Sequence, residues 1–577
     1  MALRGIILFI IVNLAYFYFE RPVLAWGFTD WSALLLLWGG VLMVVTGMLL
    51  LGRYRQCLSG KIIDFLRRSN PRIFGQQLNV VDIANYQQDN RRAGLYKKGF
   101  VLGGVFLLVG LVNWLVLPVL TSAPIFYSHS YRALLGDVKE SQFTADIEPI
   151  NLSQIRIIDE ETARKLAEKK IGEVPALGSE IQLGQLVLQK VQGKLYYVGP
   201  LEHRGVFQWL SNRRPGSRGY VMVSATNPQD VRLVQKVNGR DIYIKYQLNG
   251  FLFDYLPRYL YAKGFINVGL TDYSFEVDDE LNPYWIVTLY KNKIGYSGPD
   301  AVGVAVINAQ TGEISRYDLN NMPGWIDRTQ PEDFVYRQIS DWGAYINGFW
   351  NVIFAKTGTL RPTGDELHLI YGNDDSVYWY TGLTSSGKDE STVGFLLVNS
   401  RTKEAKWYKV SGANEIGATK SAEGQVQEKS YRAGYPILYN IDGVPTYISP
   451  LKDKEGLLKA VAFISVENYN IVGVGPDLES AARTYRQNIL SKGNLFIPGN
   501  EVRQNKIEGQ ISRISYVVKG GESYYYFMLT GDPRIFIASG NISAKLPLAR
   551  PGDKVSLVIN DNSAATVSIN EFSGLSY

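Results

Sequence analysis

Three stretches without a charged side chain, Gly5 to Phe19, Ser32 to Leu51 and Phe100 to Leu120, constrain this chain more than any other feature. About 20 apolar residues in a helix cover the hydrocarbon core of a bilayer, and the second and third stretches reach that length. The first is shorter, but Leu3 extends it and Arg4 can carry its guanidinium back to the interface. A cleavable leader is the alternative for this stretch. Its downstream flank, Phe17-Tyr18-Phe19-Glu20-Arg21-Pro22, has no small-x-small cleavage pattern, which favours a retained helix. The expected membrane domain is residues 1–120, with helices at 3–19, 32–51 and 100–120.

Charge orients these helices. The formal total is +6; ten Lys/Arg against three Asp put +7 into Arg53 to Gly99, residues 1–52 cancel, and everything from Thr121 onward sums to −1. Positive loops stay on the cytoplasmic side, so 53–99 is read as a cytoplasmic loop. The amino terminus is then inside, Glu20 to Trp31 is a short outer loop, and the rest of the chain is extracytoplasmic. Trp26, Trp31, Trp38 and Trp114 suit interfacial or lipid-facing positions. Within the basic loop, Ile62, Ile63, Phe65 and Leu66 beside Arg67 and Arg68 allow contact with anionic lipid or a cytosolic partner, although a loop that only fixes orientation needs the same residues. The near-neutral remainder lacks the basic footprint of a nucleic-acid binder. The one cysteine, Cys57, lies in the basic loop, so the large region has neither disulfides nor thiol chemistry. That fits a bacterial envelope protein held by its cores alone.

The large region repeats itself. A hexapeptide, [Tyr/Thr]-[Tyr/Trp]-x-x-x-Leu, recurs at Tyr196-Tyr197 to Leu201, Tyr284-Trp285 to Leu289, Tyr378-Trp379 to Leu383 and Thr446-Tyr447 to Leu451. Each follows turn residues, Gln192-Gly193, Asp278 to Pro283, Asn373-Asp374-Asp375 and Asp442-Gly443, and so reads as the second strand of a hairpin. Apolar strands follow at Tyr220 to Val223, Val302 to Ile307, Val393 to Val398 and Ala460 to Val466. After the second and third of these, Asn308, Thr311, Glu313 and Tyr317 match Asn399, Thr402, Glu404 and Tyr408, all offset by 91 residues. This pattern is read as duplication. Helices are expected at Glu161 to Ile171, Asp254 to Lys263, Pro331 to Ala355 and Asp477 to Leu490. In the third, Val335, Ile339, Trp342, Ile346, Phe349 and Ile353 make one apolar face. That face covers a neighbouring sheet or, through Trp342 and Phe349, docks a partner.

A helix, a hairpin and a third strand ending in Ala305-Val306-Ile307-Asn308-Ala309-Gln310-Thr311-Gly312-Glu313-Ile314 resembles the PepSY-like module. The third copy has Lys403 where the glycine stands, and the first and fourth lack the turn motif. PepSY-like modules are non-catalytic, so the resemblance implies binding or regulation. The expected fold class is a membrane-anchored α+β protein with units at 121–240, 241–330, 331–415 and 416–495. From Pro498-Gly499-Asn500 onward, five short strands within 500–577 resemble a small OB-like β-barrel. Alternation puts Tyr524 and Tyr526 on one face and Tyr525 with Phe527 on the other. One pair must fill the barrel, and the other is a candidate stacking surface.

Catalytic signatures fail on inspection. Gly382 to Asp389 matches a phosphate-binding loop except that Asp389 stands where Ser or Thr must hold Mg²⁺, and a strand follows it. Lys356-Thr357-Gly358 has no Ser-x-x-Lys ahead of it; the one at Ser385 to Lys388 comes after. His129, His203 and His368 have no metal-ligand spacing. Asp278-Asp279-Glu280 and Asp374-Asp375 fall at hairpin turns, where Asp is favoured for backbone reasons. No cofactor, metal or catalytic residue is expected. The sequence therefore reads as a non-enzymatic membrane-anchored binding, scaffold or regulatory protein whose partners are other membrane or envelope proteins, with oligomerisation open. A subunit of a larger envelope, secretion or conjugation-like assembly is the first alternative, and a hydrolase with an unrecognised constellation the second. Protease added to spheroplasts is expected to remove the mass after Leu120, which stays intact in everted vesicles; the reverse pattern would invert the assigned topology.

Overall fold

The computed structural model describes residues 2–69, 81–372, 376–385, 391–492, 505–519, 522–559 and 566–574. Its first elements are α1 (Ala2–Glu20), α2 (Asp30–Ser69) and α3 (Val81–Leu111), the last continuing through a π-turn at Val112–Val116 to a final turn at Leu117–Ser122. Asp30–Gly52 and Ala93–Ser122 are long and apolar enough to cross a membrane, whereas the apolar part of α1, Phe9–Glu20, is shorter. The basic stretch is largely helical where a loop was expected. Arg, Lys, Gln, Leu and Ala favour helix, so α2 carries on to Ser69 and α3 resumes at Val81. Helices α2 and α3 approach through glycine, which lets the two backbones pack closely. A Cβ on Gly39 would stand 2.7 Å from the Gly103 carbonyl oxygen, and one on Gly103 would stand 2.8 Å from Met43. The indole of Trp38 on α2 donates to Asn13 of α1 at 2.5 Å.

Beyond Ser122 the described chain is mixed α+β, with four sheets sharing one antiparallel order. Unit 1 comprises Val187–Val191, Lys194–His203, Tyr220–Ser224 and Val231–Val234, and unit 2 comprises Gly269–Val277, Pro283–Ile294, Ser297–Asn308 and Ile314–Tyr317. In unit 3 they are His368–Tyr371, Val377–Ser385, Gly394–Asn399 and Ala405–Tyr408, and in unit 4 Ile437–Ile441, Val444–Lys452, Leu458–Ser465 and Val472–Gly475. Units 1, 3 and 4 each add a short strand (Ile181–Leu183, Leu360–Pro362, Arg432–Ala433) beside the far half of the second strand. Unit 2 instead has a single first strand with an irregularity around Asp272. The break and the bulge are two versions of one kink in the first strand.

The hexapeptides occupy equivalent positions in the second strands. Tyr197, Trp285, Trp379 and Tyr447 lie opposite Val223, Ile307, Val398 and Ile464 on the third strands. All four aromatics and the leucines four residues on are buried, since an even spacing keeps them on one face. Three of the four rings bond to the segment leading into the unit's helix. Trp285 donates to the Tyr246 carbonyl and Trp379 to the Gln330 carbonyl at 2.8 Å each, and Tyr447 to the Ala413 carbonyl at 3.3 Å. Those same segments donate N–H groups to the residue just past the third strand: Ile157 and Ile158 to Ala225, Lys245 and Tyr246 to Ala309, Thr329 and Gln330 to Ser400, and Ala413 to Val466.

The turn after the third strand is capped by a side chain in all four units. Asn308 Oδ1 accepts from the N–H of Gln310 and Thr311, and Asn399 Oδ1 from Arg401 and Thr402. Lys403 takes φ +65°, the left-handed conformation that Gly312 adopts at +78°. At the matching register Ser224 and Ser465 replace asparagine, and their hydroxyls accept from Asn227 and Asn468. The first and fourth units thus keep the capping interaction with a different side chain.

Helices Glu160–Gly172, Leu256–Ala262, Glu332–Ala344 and Glu415–Gly424 precede the four sheets. The last is absent from the sequence reading; Gly417, Thr419, Ser421 and Gly424 interrupt its helix formers, and its apolar face is narrow, Ala418 and Ala422. The expected single helix from Pro331 to Ala355 ends at Ala344; Gly348, at φ +81°, separates it from Phe349–Ile353. Residues 124–156, read as part of the first unit, serve other units. Pro124–Ala133 packs on the Glu332–Ala344 helix, Val138–Ser141 pairs in parallel with Ala405–Tyr408 of unit 3, and the Ile150 N–H donates to Asn440 of unit 4.

Shared cores join the sheets. Tyr196, Val198 and Met222 of unit 1 pack with Phe275, Trp285 and Val287 of unit 2. The opposite face of unit 1, including Tyr197 and Val223, packs with Trp379, Leu383 and Val398 of unit 3. Tyr380, Phe395 and Leu397 of unit 3 then meet Tyr447 and Phe463 of unit 4. The end faces are closed by the Leu478–Lys492 helix, through Ala481, Ala482 and Tyr485, and by the segment carrying Trp325 and Ile326. A separate closed barrel follows in the order first, second, third, fifth, fourth, with Ile535–Ser539 and Thr566–Gly574 parallel. Replacing Trp379 with Ala removes the indole bond and opens a cavity between units 1 and 3. A loss of about 3–5 kcal/mol is expected, read as a lower urea midpoint of the full chain in detergent.

Candidate functional site

Charged groups converge where units 1, 2 and 3 meet. The kink in unit 2 sets Asp272 at φ +47°, and its carboxylate accepts from Arg328 Nη2 at 3.0 Å. Arg328 lies on the segment between units 2 and 3, with its guanidinium 5.7 Å from the ring centroid of Trp379. Beside this pair opens a cleft of about 410 Å³ lined by Asp272, Glu332, Asp333, Tyr336, Arg337 and Asp365 together with Thr271 and Pro331. Glu332 and Asp333 occupy the first turn of their helix, where the backbone N–H groups favour negative charge. Glu332 also accepts from the Leu367 N–H at 2.9 Å, which ties the cleft's far wall to the helix. Burial nevertheless raises both carboxyls above their ordinary range.

Behind the cleft the acids are enclosed. Glu276 is buried on the Gly269–Val277 strand; one oxygen accepts from the Ser274 hydroxyl at 2.8 Å and the other has no partner. Burial, reinforced by Asp327, pushes its carboxyl up to about 8. Asp327 accepts from the Lys190 N–H at 2.7 Å, and burial pushes it up to about 6. Gln189 of unit 1 spans the seam by accepting from the Val277 N–H at 3.0 Å. Among the described residues no three His, Cys, Asp or Glu side chains are grouped to hold a metal ion. The cleft shows no hydroxyl or thiol nucleophile held by a base. Its chemistry is that of a hydrogen-bonding, carboxylate-rich recess.

The residues singled out from the sequence lie elsewhere. Trp342 is buried, with its ring 5.9 Å from that of Trp407 and the Arg132 guanidinium 5.6 Å from its centroid, so it is core and not a docking surface. Phe349 is half-buried beside Trp350. Phe527 and Tyr525 turn into the barrel core, which leaves half-buried Tyr524 and Tyr526 on the other face. His203 is buried, and His368 stacks on Tyr435 with centroids 3.5 Å apart, burial pushing it down to about 3. Gly382 of the phosphate-loop look-alike sits in a strand, and its N–H donates to buried Glu415 at 3.0 Å; a Cβ there would stand 2.7 Å from that carboxylate. Lys356-Thr357-Gly358 is a turn held by Asn347 and Asn351, whose amides donate to the Thr357 carbonyl at 3.0 Å. Asp278 accepts from the Asn282 N–H at 2.7 Å, and Asp279 receives Gln192 N–H from the neighbouring hairpin at 3.2 Å. Asn373 to Asp375, Ser386 to Asp389 and the side chains of 55–92 lie outside the described residues. The sequence reading missed Asp272, Glu276, Asp327 and Arg328. Asp272 and Glu276 lie in a strand and Asp327 and Arg328 in an irregular segment, and nothing local marks which carboxyls end in a seam.

No family model matches the chain and no curated protein matches it. A Trypanosoma rangeli sialidase in complex with 2,3-difluorosialic acid (covalent intermediate) is similar at 9% identity over 68% of this chain. The TM-score is 0.16, too low for a shared fold, and the chain spans about half of the sialidase, 53% of it.

A carboxyl held neutral by the fold makes stability depend on pH. Below about 4.5, the ordinary value, Glu276 is protonated folded or unfolded; between there and about 8 only the unfolded chain ionises, so stability falls as pH rises through that window. Glu276→Gln is expected to remove this loss. Its unfolding free energy from urea titration should exceed that of the parent by a margin that widens between pH 5 and 8, reaching about 2–4 kcal/mol.

Proposed function

We propose that this chain is a membrane-anchored, non-enzymatic binding or scaffold protein of a bacterial cell envelope. Its three apolar helices span the cytoplasmic membrane with the amino terminus inside, and the stacked sheets and barrel stand outside. The observation that carries the reading is how the sheet faces are used: they pack against a neighbouring sheet, a helix or a covering segment. A stack whose sheets share their cores is suited to presenting surfaces.

The two apolar helices of sufficient length support anchoring. The link between α1 and α2 touches the region beyond Ser122: the Leu24 N–H donates to the Ile266 carbonyl at 2.6 Å, and Asn292 donates to the Gly27 carbonyl at 2.7 Å. Both segments therefore lie at one end of the helices, as an outer link and an outer domain must. The shared helix-plus-antiparallel-sheet pattern supports PepSY-like units, and the closed strand order with a parallel third and fifth pair supports an OB-like barrel. Cross-linking in cells followed by affinity isolation of the full chain is expected to recover at least one stable envelope partner. Partners embedded in the same membrane would favour a larger secretion or conjugation-like assembly, and recovery of the chain alone would overturn the scaffold reading.

A further inference from the structure

We propose that the end of the sheet stack facing the helices rests in the interfacial layer of the bilayer those helices cross, through two aromatic feet, one beside the end of α1 and one following α3's continuation. The proposal rests on the membrane-anchored reading and adds a lipid-contact surface to it.

The first foot is built from the Val206–Asn212 helix and the Leu252–Asp254 turn. Phe207 is 77% exposed and Leu210 62%, and Leu252 and Phe253 are exposed beside them. Trp209 holds the two pieces together, its ring 5.4 Å from that of Phe251 and its indole donating to Asp254 at 3.0 Å. The foot adjoins the end of α1: Arg258 donates to the Leu252 carbonyl at 2.8 Å and to the Tyr18 carbonyl at 3.1 Å, with its guanidinium 3.8 Å from the Tyr18 ring centroid.

The second foot starts where α3's continuation ends. Pro124–Ala133 follows Ser122 directly and packs against the short Phe349–Ile353 helix. Phe126, Trp350 and Phe354 are 66%, 57% and 76% exposed, and the last two stack with centroids 5.8 Å apart.

Water contact on this much apolar surface is unfavourable, and one patch adjoins the end of α1 while the other follows α3's continuation. Exposed Trp26 of the link between α1 and α2 lies beside Tyr296, 5.6 Å between centroids. Aromatic rings with arginine close by (Arg213 stands 5.2 Å from the Trp209 ring) are the side chains that settle at headgroup depth. A soluble partner would have no reason to find two separate patches, each next to a helix end; a bilayer reaches both.

The test uses the full chain in phospholipid vesicles, with Cys57→Ser as background and nitroxide labels on Phe207→Cys, Phe354→Cys, Val44→Cys and Asp241→Cys. Collision with oxygen, which concentrates in lipid, is compared with collision with a water-soluble nickel chelate. The oxygen-to-nickel ratio at 207 and 354 is expected to exceed that at 241 several-fold and to fall below that at 44. Ratios equal to that at 241 would overturn the proposal, as would exclusion of both reagents, which would mean a protein covers the feet. A low ratio at 44 would defeat the membrane-anchored reading itself and this proposal with it.

Discussion

The structure depends on burying both faces of the same strand. In unit 1, Tyr196 and Tyr197 are neighbours in sequence and point in opposite directions, one into the core shared with unit 2 and the other into the core shared with unit 3. Trp379 and Tyr380 repeat the arrangement between units 1 and 4. A sheet buried on both faces cannot fold usefully alone, because either face left in water would forfeit about 25 cal/mol per Å² of apolar area. The units therefore stabilise one another, and the stack must be closed at both ends, as in other repeat architectures. Ala481, Ala482 and Tyr485 do this for unit 4, and Ile326 with Trp325 for unit 2.

This coupling explains what was legible in the sequence. The hexapeptide stood out because a doubly buried second strand tolerates few side chains; Leu201, Leu289, Leu383 and Leu451 all have no accessible surface. The apolar helices and the hairpin turns were visible for equally local reasons, for example the successive left-handed residues Gln192-Gly193 and Asp442-Gly443. What stayed hidden depends on distant partners. Ser224 and Ser465 do the work of Asn308 and Asn399, but a serine cap differs from an asparagine cap in every letter of the motif. The Glu415–Gly424 helix is held by two buried alanines against a sheet, a signal too small to see without that sheet. The strand Val138–Ser141 finds its place beside Ala405–Tyr408, which comes two units later in the sequence. The acid seam was illegible for the same reason, since Glu276 and Asp327 acquire their chemistry only when units 1 and 3 enclose them.

The seam also shows what stacking costs. A buried carboxyl oxygen without a partner forfeits solvation that no neighbour returns. Glu276 has such an oxygen, and Arg328 Nε and Gln330 Oε1 close by are in the same condition. These groups sit where three sheets with separate internal registers must meet, and the bulge at Asp272 is the adjustment that lets Arg328 be paired. The polar content of the junction is thus tied to the geometry of joining units 1, 2 and 3.

The join between stack and helices obeys a different rule. Unit 2 carries the longest hairpin of the four, with Pro283–Ile294 and Ser297–Asn308 running past the sheet to a tip at Tyr296. That tip bonds to the helix ends: the Tyr296 N–H donates to Ser122 at 2.8 Å and its hydroxyl to Asn113 at 2.5 Å, while the Asn113 amide donates to Ser32 of α2. Asn113 lies in the π-turn of Val112–Val116. A buried amide in an apolar helix is costly unless its hydrogen bonds are made, and a π-turn changes which side of the helix a residue faces. Here the turn places Asn113 where α2 and the hairpin tip can both bond to it. A polar side chain at that depth is therefore explained as a fastener, fixing the position of unit 2, and through its shared cores the other three, relative to α2 and α3.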